Sequence, residues 1–371
     1  MKRLLTLISL ILISSLSYSQ IDKKVLKSNS KTLSIKENGI LKKDEWTIVP
    51  EKRPDIYLTN YKNQNITFYS DVDSIIFLVE QNNKIQFNVI LNSKDTALTE
   101  IIYQRPFLEI LKTASIYDTC RINKKIKFKY QSKNNSHLKS LRKYFKLDSI
   151  AGDGDEVSQL INLMNWLHNK VEHNGTNGNP KIKNAQSMLT VCSKEKRGLN
   201  CRGLAIAYNE CCLSMGFKSR IIVCLPKDSL KMDNDCHVIN SVFVNKLNKW
   251  IWIDPTFNSF VMDENNNLLG IQEVRDRLIN NKYLKISSNA NWNNKNKAQI
   301  NEYLYNYMAK NLYYLQCPIK SKYNMETRKI WKVLANSLNY VTLIPKECNK
   351  YFTNFIFKET TNPEVFWSNP L

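Results

Sequence analysis

The 371-residue sequence predicts an α+β fold with strands first, a mixed core in the middle and helices at the end. Residues 20–115 contain short runs of β-branched and aromatic residues that Asp and Asn residues separate, as is typical of strands joined by turns. Apolar residues recur at helical spacing between Val157 and Val171, and again after residue 201. We therefore predict a β-rich accessory region at 20–115, a core at 116–285 and a helical extension at 286–371.

In the accessory region, residues 65–69, 74–79 and 85–91 are the clearest strand candidates. No combination of side chains typical of catalysis occurs among them. In the core, the turn at 245–248 separates two strand-like runs, and an apolar run at 219–225 indicates a buried strand before them. Further on, residues 302–314 are predicted to be helical and residues 341–344 to form a short strand.

Residues 1–19 have the composition of a cleavable signal peptide. Lys2 and Arg3 give a positive start, residues 4–16 are apolar, and small residues precede the expected cleavage before Gln20. The apolar run is short for a membrane-spanning helix, and no cysteine for lipid attachment directly follows it. We expect a periplasmic or secreted protein without an integral membrane segment after cleavage.

The formal net charge of +21 raises the question of an acidic partner. Lysines are spread along the whole chain, with a local concentration only between residues 124 and 146, and no nucleic-acid-binding motif accompanies them. We expect a basic surface that faces an acidic cell envelope, and no nucleic-acid partner.

The nine cysteines include no C-x-x-C pair, and no histidine lies at zinc-finger spacing. We therefore expect neither a metal nor another cofactor. An odd number of cysteines in an exported chain leaves at least one thiol unpaired. The sequence leaves open whether Cys236 pairs with Cys224 or Cys192 or is a packed free thiol.

Cys201 stands at the start of a predicted helix, where unpaired backbone N–H groups and the helix dipole favour negative charge. Such a position lowers the pKa of a thiol, and the same N–H groups can stabilise an oxyanion. Arg202 and Gly203 are poor choices for a hydrophobic core, so Cys201 differs from Cys212 and Cys224, which we interpret as small buried apolar residues.

The two strands around the turn at 245–248 make a prediction about His237 and Asp254. Folding about residues 246 and 247 pairs residues whose numbers sum to about 493, which sets Ile239 opposite Asp254 and His237 opposite Thr256. In that register His237 and Asp254 project from the same face as diagonal neighbours, so the carboxylate can orient the imidazole. A slip of one residue would put them on opposite faces.

Taken together, these motifs resemble those of the transglutaminase-like superfamily of papain-like thiol enzymes. The resemblance rests on Cys-x-Gly-x-Ala at 201–205, Gly-Phe-Lys-Ser-Arg at 216–220, His237, and Trp-Ile-Asp-Pro-Thr at 252–256. It runs from about residue 155 to 285 and looks closest to exported bacterial proteins. It implies a papain-like core in which the helix that bears the cysteine packs on an antiparallel sheet.

The resemblance also implies roles for individual residues. Cys201 would be the nucleophile, His237 the general base and acid, and Asp254 the orienting carboxylate. Glu195 occupies the spacing at which a papain-like glutamine would donate to the oxyanion, so that side-chain donor is not identified. We interpret Asn200 and Gln186 as structural residues rather than replacements.

Three more residues are interpreted as structural. Arg220 resembles the family's strand arginine. His168 and His173 lie at the end of the helix that precedes the cysteine, and we expect them to serve in local packing or at the surface.

The function predicted is that of an exported thiol enzyme that cleaves or transfers amide acyl groups through a thioester on Cys201. We favour a peptidase or amidase with a protein or peptide substrate, cell-envelope material included, because water is the default acceptor at an open site. One alternative is a protein-glutamine γ-glutamyltransferase that crosslinks proteins. The other is a non-catalytic envelope module that binds peptide or glycan.

Overall fold

The computed structural model describes residues 23–50, 54–80, 84–114, 116–119, 126–176, 178–227, 235–327, 340–346 and 358–370. The predicted signal peptide at 1–19 lies outside the described residues, as do Cys120 and Cys348. The chain divides into two compact units, Met1–Pro106 and Phe107–Leu371.

The described part of the first unit is built from β-strands. They are β1 (Val25–Ser28), β2 (Thr32–Glu37), β3 (Ile40–Thr47), β4 (Asp55–Thr59), β5 (Gln64–Tyr69), β6 (Ser74–Val79), β7 (Lys84–Leu91) and β8 (Asp95–Tyr103). Two four-stranded sheets result, with the orders β1-β7-β8-β4 and β3-β2-β5-β6. Alternate side chains of both sheets, Phe68 and Phe87 among them, point into one hydrophobic core. These strands lie within the region predicted to be β-rich.

The second unit is built on a six-stranded sheet. Its strands are β10 (Lys218–Leu225), β11 (His237–Val244), β12 (Lys249–Ile253), β17 (Tyr314–Pro318), β19 (Tyr340–Leu343) and β20 (Lys358–Thr360), in the order β12-β11-β10-β17-β19-β20. Neighbouring strands are antiparallel except β19 and β20, which are parallel. Short paired strands complete the β structure: β9 (Lys129–Tyr130) with β18 (Lys320–Ser321), β13 (Val261–Met262) with β14 (Lys285–Ile286), and β15 (Asn291–Trp292) with β16 (Asn296–Lys297).

Helices lie before, between and after these strands. They are α1 (Phe107–Lys112), α2 (Ser136–Phe145), α3 (Leu147–Ala151), α4 (Glu156–Lys170), α5 (Ala185–Glu195), α6 (Cys201–Met215), α7 (Ile271–Ile279), a π-helix (Asn301–Met308), α8 (Ala309–Asn311) and α9 (Pro363–Phe366). The predicted helix at 157–171 is α4, and Asp155 caps it by accepting a hydrogen bond from the backbone N–H of Ser158 at 2.9 Å.

The central sheet separates two hydrophobic cores. On β10, Ile221 and Val223 pack with helices α3 to α6, whereas Ile222 and Cys224 pack with the π-helix and the other C-terminal elements. Helix α6 contacts both β10 and β11. Because both faces are covered, the strands are buried along nearly their whole length, and the predicted buried strand at 219–225 is confirmed.

The prediction of a helical extension at 286–371 is wrong in part. The chain leaves its helical conformation after Asn311, and β17, β19 and β20 extend the central sheet. The amphipathic pattern of residues 302–314 suggested one continuous helix. Tyr314, Leu315 and Cys317 are instead buried beside β10, and this long-range pairing decides their conformation. The short strand predicted at 341–344 is present as β19.

In the part of the chain that the structure describes, no helix has the length and apolar composition needed to cross a membrane.

Candidate active site

Helix α6 begins at Cys201, as the sequence predicts. Asn200 has an extended backbone, with φ −75° and ψ 172°, and its Oδ1 accepts a hydrogen bond from the N–H of Gly203 at 3.0 Å. The helix ends at Gly216, whose φ of 98° is the left-handed conformation that glycine adopts readily. Cys201 is thus the first helical residue, and its N–H group has no partner within the helix.

A second asparagine supports this helix start. Asn179 donates from Nδ2 to Asn200 Oδ1 at 2.7 Å and accepts at Oδ1 from the Asn200 N–H at 3.2 Å. A Cβ atom on Gly203 would lie 2.5 Å from Asn179 Oδ1. The glycine in the Cys-x-Gly motif therefore makes room for the side chain that holds the cap. Nothing in the local sequence pattern singles out Asn179 for this role.

The hairpin has the predicted register. Asn240 pairs with Ile253 and Val244 pairs with Lys249, so paired residue numbers sum to 493. The resulting geometry puts His237 Nε2 2.7 Å from Asp254 Oδ2, with both side chains buried. The Nε2–H group donates to the carboxylate, which leaves Nδ1 as the ring nitrogen available to Cys201.

Asp254 has further donors. Its Oδ1 accepts from the N–H of Thr256 at 2.9 Å and from that of Phe257 at 3.4 Å. The hydroxyl of Tyr303, on the π-helix, donates to Oδ2 at 2.7 Å. These bonds fix the carboxylate in the orientation that His237 needs. Nothing in the sequence indicated that Tyr303 would bond Asp254, because the aromatic pattern around Tyr303 predicted only a packed helix.

The contact between His237 and Asp254 shifts the pKa of both groups. Burial lowers the pKa of His237, but the charge of Asp254 and its hydrogen bond outweigh burial and raise the pKa to about 10. Burial raises the pKa of Asp254, and His237 more than compensates, so that the pKa of this carboxyl lies below its usual value. Phe257 and Tyr307 contact the imidazole edge-on, with ring centroids 5.9 and 5.2 Å away.

Cys201 is half-buried, and its sulfur lies 3.9 Å from the carbonyl oxygen of Cys236. Burial alone raises the pKa of its thiol, but hydrogen bonds from His173 and His237, the charge of His237 and the N–H of Val238 lower the pKa to about 6. The lowered pKa of the Cys201 thiol and the raised pKa of the His237 imidazole favour a thiolate–imidazolium pair, with apparent pKa values that belong to the pair. The structure thus brings the predicted trio together.

The histidines at the end of α4 differ from each other. His168 is buried, with Nδ1 donating to the carbonyl of Pro255 at 3.1 Å and Nε2 2.8 Å from Asn291 Oδ1, which confirms its predicted packing role. His173 is half-buried with its ring edge-on to Trp292, 4.5 Å away, which agrees with local packing, and it also lowers the pKa of the Cys201 thiol. Its sequence position, in a polar segment after the helix, did not predict this second effect.

Gln186 and Asn200, which we interpreted as structural residues rather than oxyanion donors, have separate roles. Gln186 and Glu195 line a separate cavity of about 770 Å³. Asn200 serves as the helix cap. Arg220 is buried as predicted for a structural residue, with its guanidinium 3.8 Å from the ring centroid of Trp250.

The cysteines near the site are free thiols. Cys192, Cys224 and Cys236 are all unpaired. The described residues contain no group of three or more His, Cys, Asp or Glu side chains that could hold a metal ion.

Comparison with known proteins shows what this part of the chain is similar to. Residues 143–255 match the transglutaminase-like superfamily. The crystal structure of a candidate cysteine protease from Cytophaga hutchinsonii is similar to 40% of this chain, with 14% identity and a TM-score of 0.25, and the chain spans about half (49%) of that protein. No curated protein matches the sequence. The matched segment, residues 143–255, contains Cys201, His237 and Asp254 and is similar to the transglutaminase-like superfamily.

Proposed function

We propose that the protein is an exported thiol enzyme that acts on amide bonds of a peptide or protein substrate through an acyl intermediate on Cys201. The observation that carries the proposal is the arrangement of Cys201 at the start of α6 with the His237 imidazole, which lowers the pKa of the thiol and whose Nε2 lies 2.7 Å from Asp254 Oδ2. Export is supported by the signal-like composition of residues 1–19.

The reaction steps follow from a Cys201 thiolate that lies beside a His237 imidazolium. The Cys201 thiolate attacks the substrate carbonyl carbon, a C–S bond forms, and the carbonyl electron pair moves to the oxygen, close to the free N–H of Cys201. The His237 imidazolium gives its proton to the leaving nitrogen as the C–N bond breaks. Water then attacks the thioester with neutral His237 as base, which releases the acid and restores the thiolate.

Hydrolysis is our first choice over transfer because water is present at any open site. A protein-glutamine γ-glutamyltransferase would use the same thioester and replace water with an amine. A binding module without catalysis would have no use for a lowered thiol pKa, whereas here His237, which Asp254 contacts at 2.7 Å, lowers the pKa of Cys201.

Alkylation with iodoacetamide tests the proposal, with modified residues mapped by mass spectrometry. In the wild type, Cys201 is expected to react with a pH midpoint of about 6. In His237→Gln the midpoint should move toward that of an ordinary thiol, about 8.5. Cys236 is an internal control, because burial and the nearby Cys201 raise its pKa to about 11.

An unreactive Cys201 in folded wild-type protein would contradict the proposal. Circular dichroism of the variant is needed alongside, because loss of the imidazole leaves Asp254 buried without its charged partner. Incorporation of an amine into a glutamine-containing peptide, against release of ammonia alone, then separates transfer from hydrolysis.

A further inference from the structure

His173 is held next to the cysteine by its backbone. Its N–H donates to Asn293 Oδ1 at 2.7 Å, and Asn293 Nδ2 donates back to its carbonyl at 2.9 Å. A parallel bridge joins His173 to Leu199, two residues before Cys201. One asparagine and one bridge thus fix this residue beside the helix start, although it lies outside the helices and longer strands.

Aromatic rings connect His173 to the other histidine of the site. The His173 ring meets the edge of Trp292, with centroids 4.5 Å apart, and Trp292 contacts Phe257 at 5.2 Å. Phe257 in turn contacts His237 at 5.9 Å. The two imidazoles therefore stand at the two ends of one aromatic wall, and both lower the pKa of the Cys201 thiol.

The His173 ring has an unused polar atom. Its Nδ1 is buried and has no hydrogen-bond partner among the described residues. A buried polar atom without a partner is costly, and a bound substrate can remove that cost by supplying one. An imidazole keeps at least one N–H in each of its protonation states, so the ring can always donate.

We propose that His173 is a further catalytic residue that donates a hydrogen bond to the oxyanion formed when Cys201 attacks the substrate carbonyl. The inference rests on the proposed function, since it assigns a donor to that reaction. The oxyanion is bonded to the same carbon as the sulfur, and the bridge to Leu199 holds His173 beside the start of the helix that presents this sulfur, so the buried Nδ1 without a partner is placed to meet that oxygen.

His173 keeps its proton throughout the step. The C–S bond forms, the carbonyl electron pair moves to oxygen, and the leaving nitrogen takes its proton from His237. His237 retains the role of acid and base because Asp254 holds its ring, at 2.7 Å. His173 and the N–H of Cys201 are then the two hydrogen-bond donors to the oxyanion. The sequence had indicated the backbone donor but not the side-chain donor.

Two probes of Cys201 separate this role from a structural one. Iodoacetamide reacts by displacement at a saturated carbon and forms no oxyanion, whereas p-nitrophenyl acetate acylates the thiol through one. His173→Phe keeps a ring against Trp292 but has no N–H group. His137→Phe is the matched control, since His137 is exposed and stacks on Tyr323, 5.1 Å away.

We expect His173→Phe to lower the acylation rate of Cys201 roughly 10- to 100-fold, the scale seen when one oxyanion donor is removed. Its limiting alkylation rate, measured above the thiol midpoint of both proteins, should stay within about twofold of the wild type, because that reaction needs no oxyanion donor. His173→Gln carries an amide N–H and should restore part of the acylation rate. His137→Phe should match the wild type in both reactions.

Each of the three other outcomes contradicts either the proposed function or the role of His173. If wild-type Cys201 reacts with neither probe, the proposed function itself fails. If it reacts with both and His173→Phe keeps its acylation rate, only the role of His173 is wrong. A parallel fall of both rates in His173→Phe would show a structural residue and overturn the inference in the same way.

Discussion

Cys201 and Cys236 show how the surroundings of a thiol set its chemistry. The Cys201 sulfur lies only 3.9 Å from the carbonyl oxygen of Cys236. Burial raises the pKa of both thiols, to about 11 for Cys236, which also feels the charge of Cys201. At Cys201 the two imidazoles reverse the direction and bring the pKa to about 6. The neighbouring imidazoles of His173 and His237, rather than burial, therefore distinguish the thiol that we propose as nucleophile.

Tyr303 is a positioning residue that acts through Asp254. Its hydroxyl donates to Asp254 Oδ2 and accepts from Trp252 Nε1 at 3.3 Å. Tyr303→Phe should lower stability by about 1–2 kcal/mol, because two buried groups each lose a partner. It should also slow acylation of Cys201, since the carboxylate that orients His237 is less firmly held. Urea unfolding and the p-nitrophenyl acetate rate check this.

Tyr305→Phe is the matched control for that change. Tyr305 is half-buried on the same π-helix, and its hydroxyl makes no hydrogen bond with another described residue. An equal loss of stability or rate in both variants would contradict a specific role for Tyr303.

At the scale of elements, the π-helix at Asn301–Met308 serves the site with two side chains. Tyr303 bonds Asp254, and Tyr307 packs its ring on His237 while its hydroxyl bonds Asp235 Oδ1 at 3.3 Å. π-Helical segments are rare and occur often at functional sites. This segment, predicted to belong to an extension outside the core, therefore contributes directly to the candidate active site.

The start of helix α6 depends on close packing at Gly203. A Cβ there would displace Asn179, whose side chain holds Asn200 through two hydrogen bonds. Alanine has the better helix propensity, by up to about 1 kcal/mol, but two lost bonds of about 1 kcal/mol each outweigh it. Gly203→Ala should therefore lower the free energy of unfolding by about 1 kcal/mol.

Urea unfolding measures this loss, and the iodoacetamide midpoint of Cys201 should rise with it because the helix cap is disturbed. Gly178→Ala is the control, since an added Cβ at that position meets no atom within 4 Å. A neutral or stabilising Gly203→Ala would show that Asn179 can move without cost.

At the scale of the whole molecule, one buried carboxyl ties distant segments together. Glu210 of α6 accepts from the N–H of Ala185 at 2.8 Å and from the N–H of Asn324 at 2.7 Å. Burial raises its pKa to about 8, although both hydrogen bonds act in the opposite direction. The helix that carries Cys201 is thus joined both to α5 and to the segment beyond β18 through a group that titrates near neutral pH.

Glu210 should make stability depend on pH. Between the usual carboxyl pKa of 4.5 and about 8, the folded state holds a proton that the unfolded state has lost. The stabilisation of the folded state by this bound proton is therefore fully present below the window. It is lost as pH rises through the window, and the loss is on the order of a few kcal/mol. Relative to Glu210→Gln, which does not titrate, wild-type stability should fall between pH 4.5 and 8.

Urea unfolding of both proteins across that window tests the sign. Glu302→Gln, a change at an exposed position, should leave the pH dependence of the wild type unaltered. A stability difference between wild type and Glu210→Gln that stays constant with pH would mean that Glu210 ionises in the folded protein as it does in the unfolded chain.

The sequence by itself determined the local parts of the site. Helical spacing and Gly216 bounded the helix that begins at Cys201, and the length of the turn at 245–248 determined the register that sets His237 and Asp254 on one face. These features could be predicted because each depends on residues close together in the chain, where periodicity and turn geometry apply.

The tertiary structure decided what reaches the site from a distance. His173, Tyr303 and Asn179 come from segments whose local pattern shows no reactive constellation, and the strands after Asn311 form because β10 offers them a buried edge. Long-range packing overrides local propensity at such positions. Contacts between segments that are far apart in the sequence form only in the complete fold. The side chains that reach Cys201 from a distance and the number of strands in the central sheet could therefore not be predicted from the sequence alone.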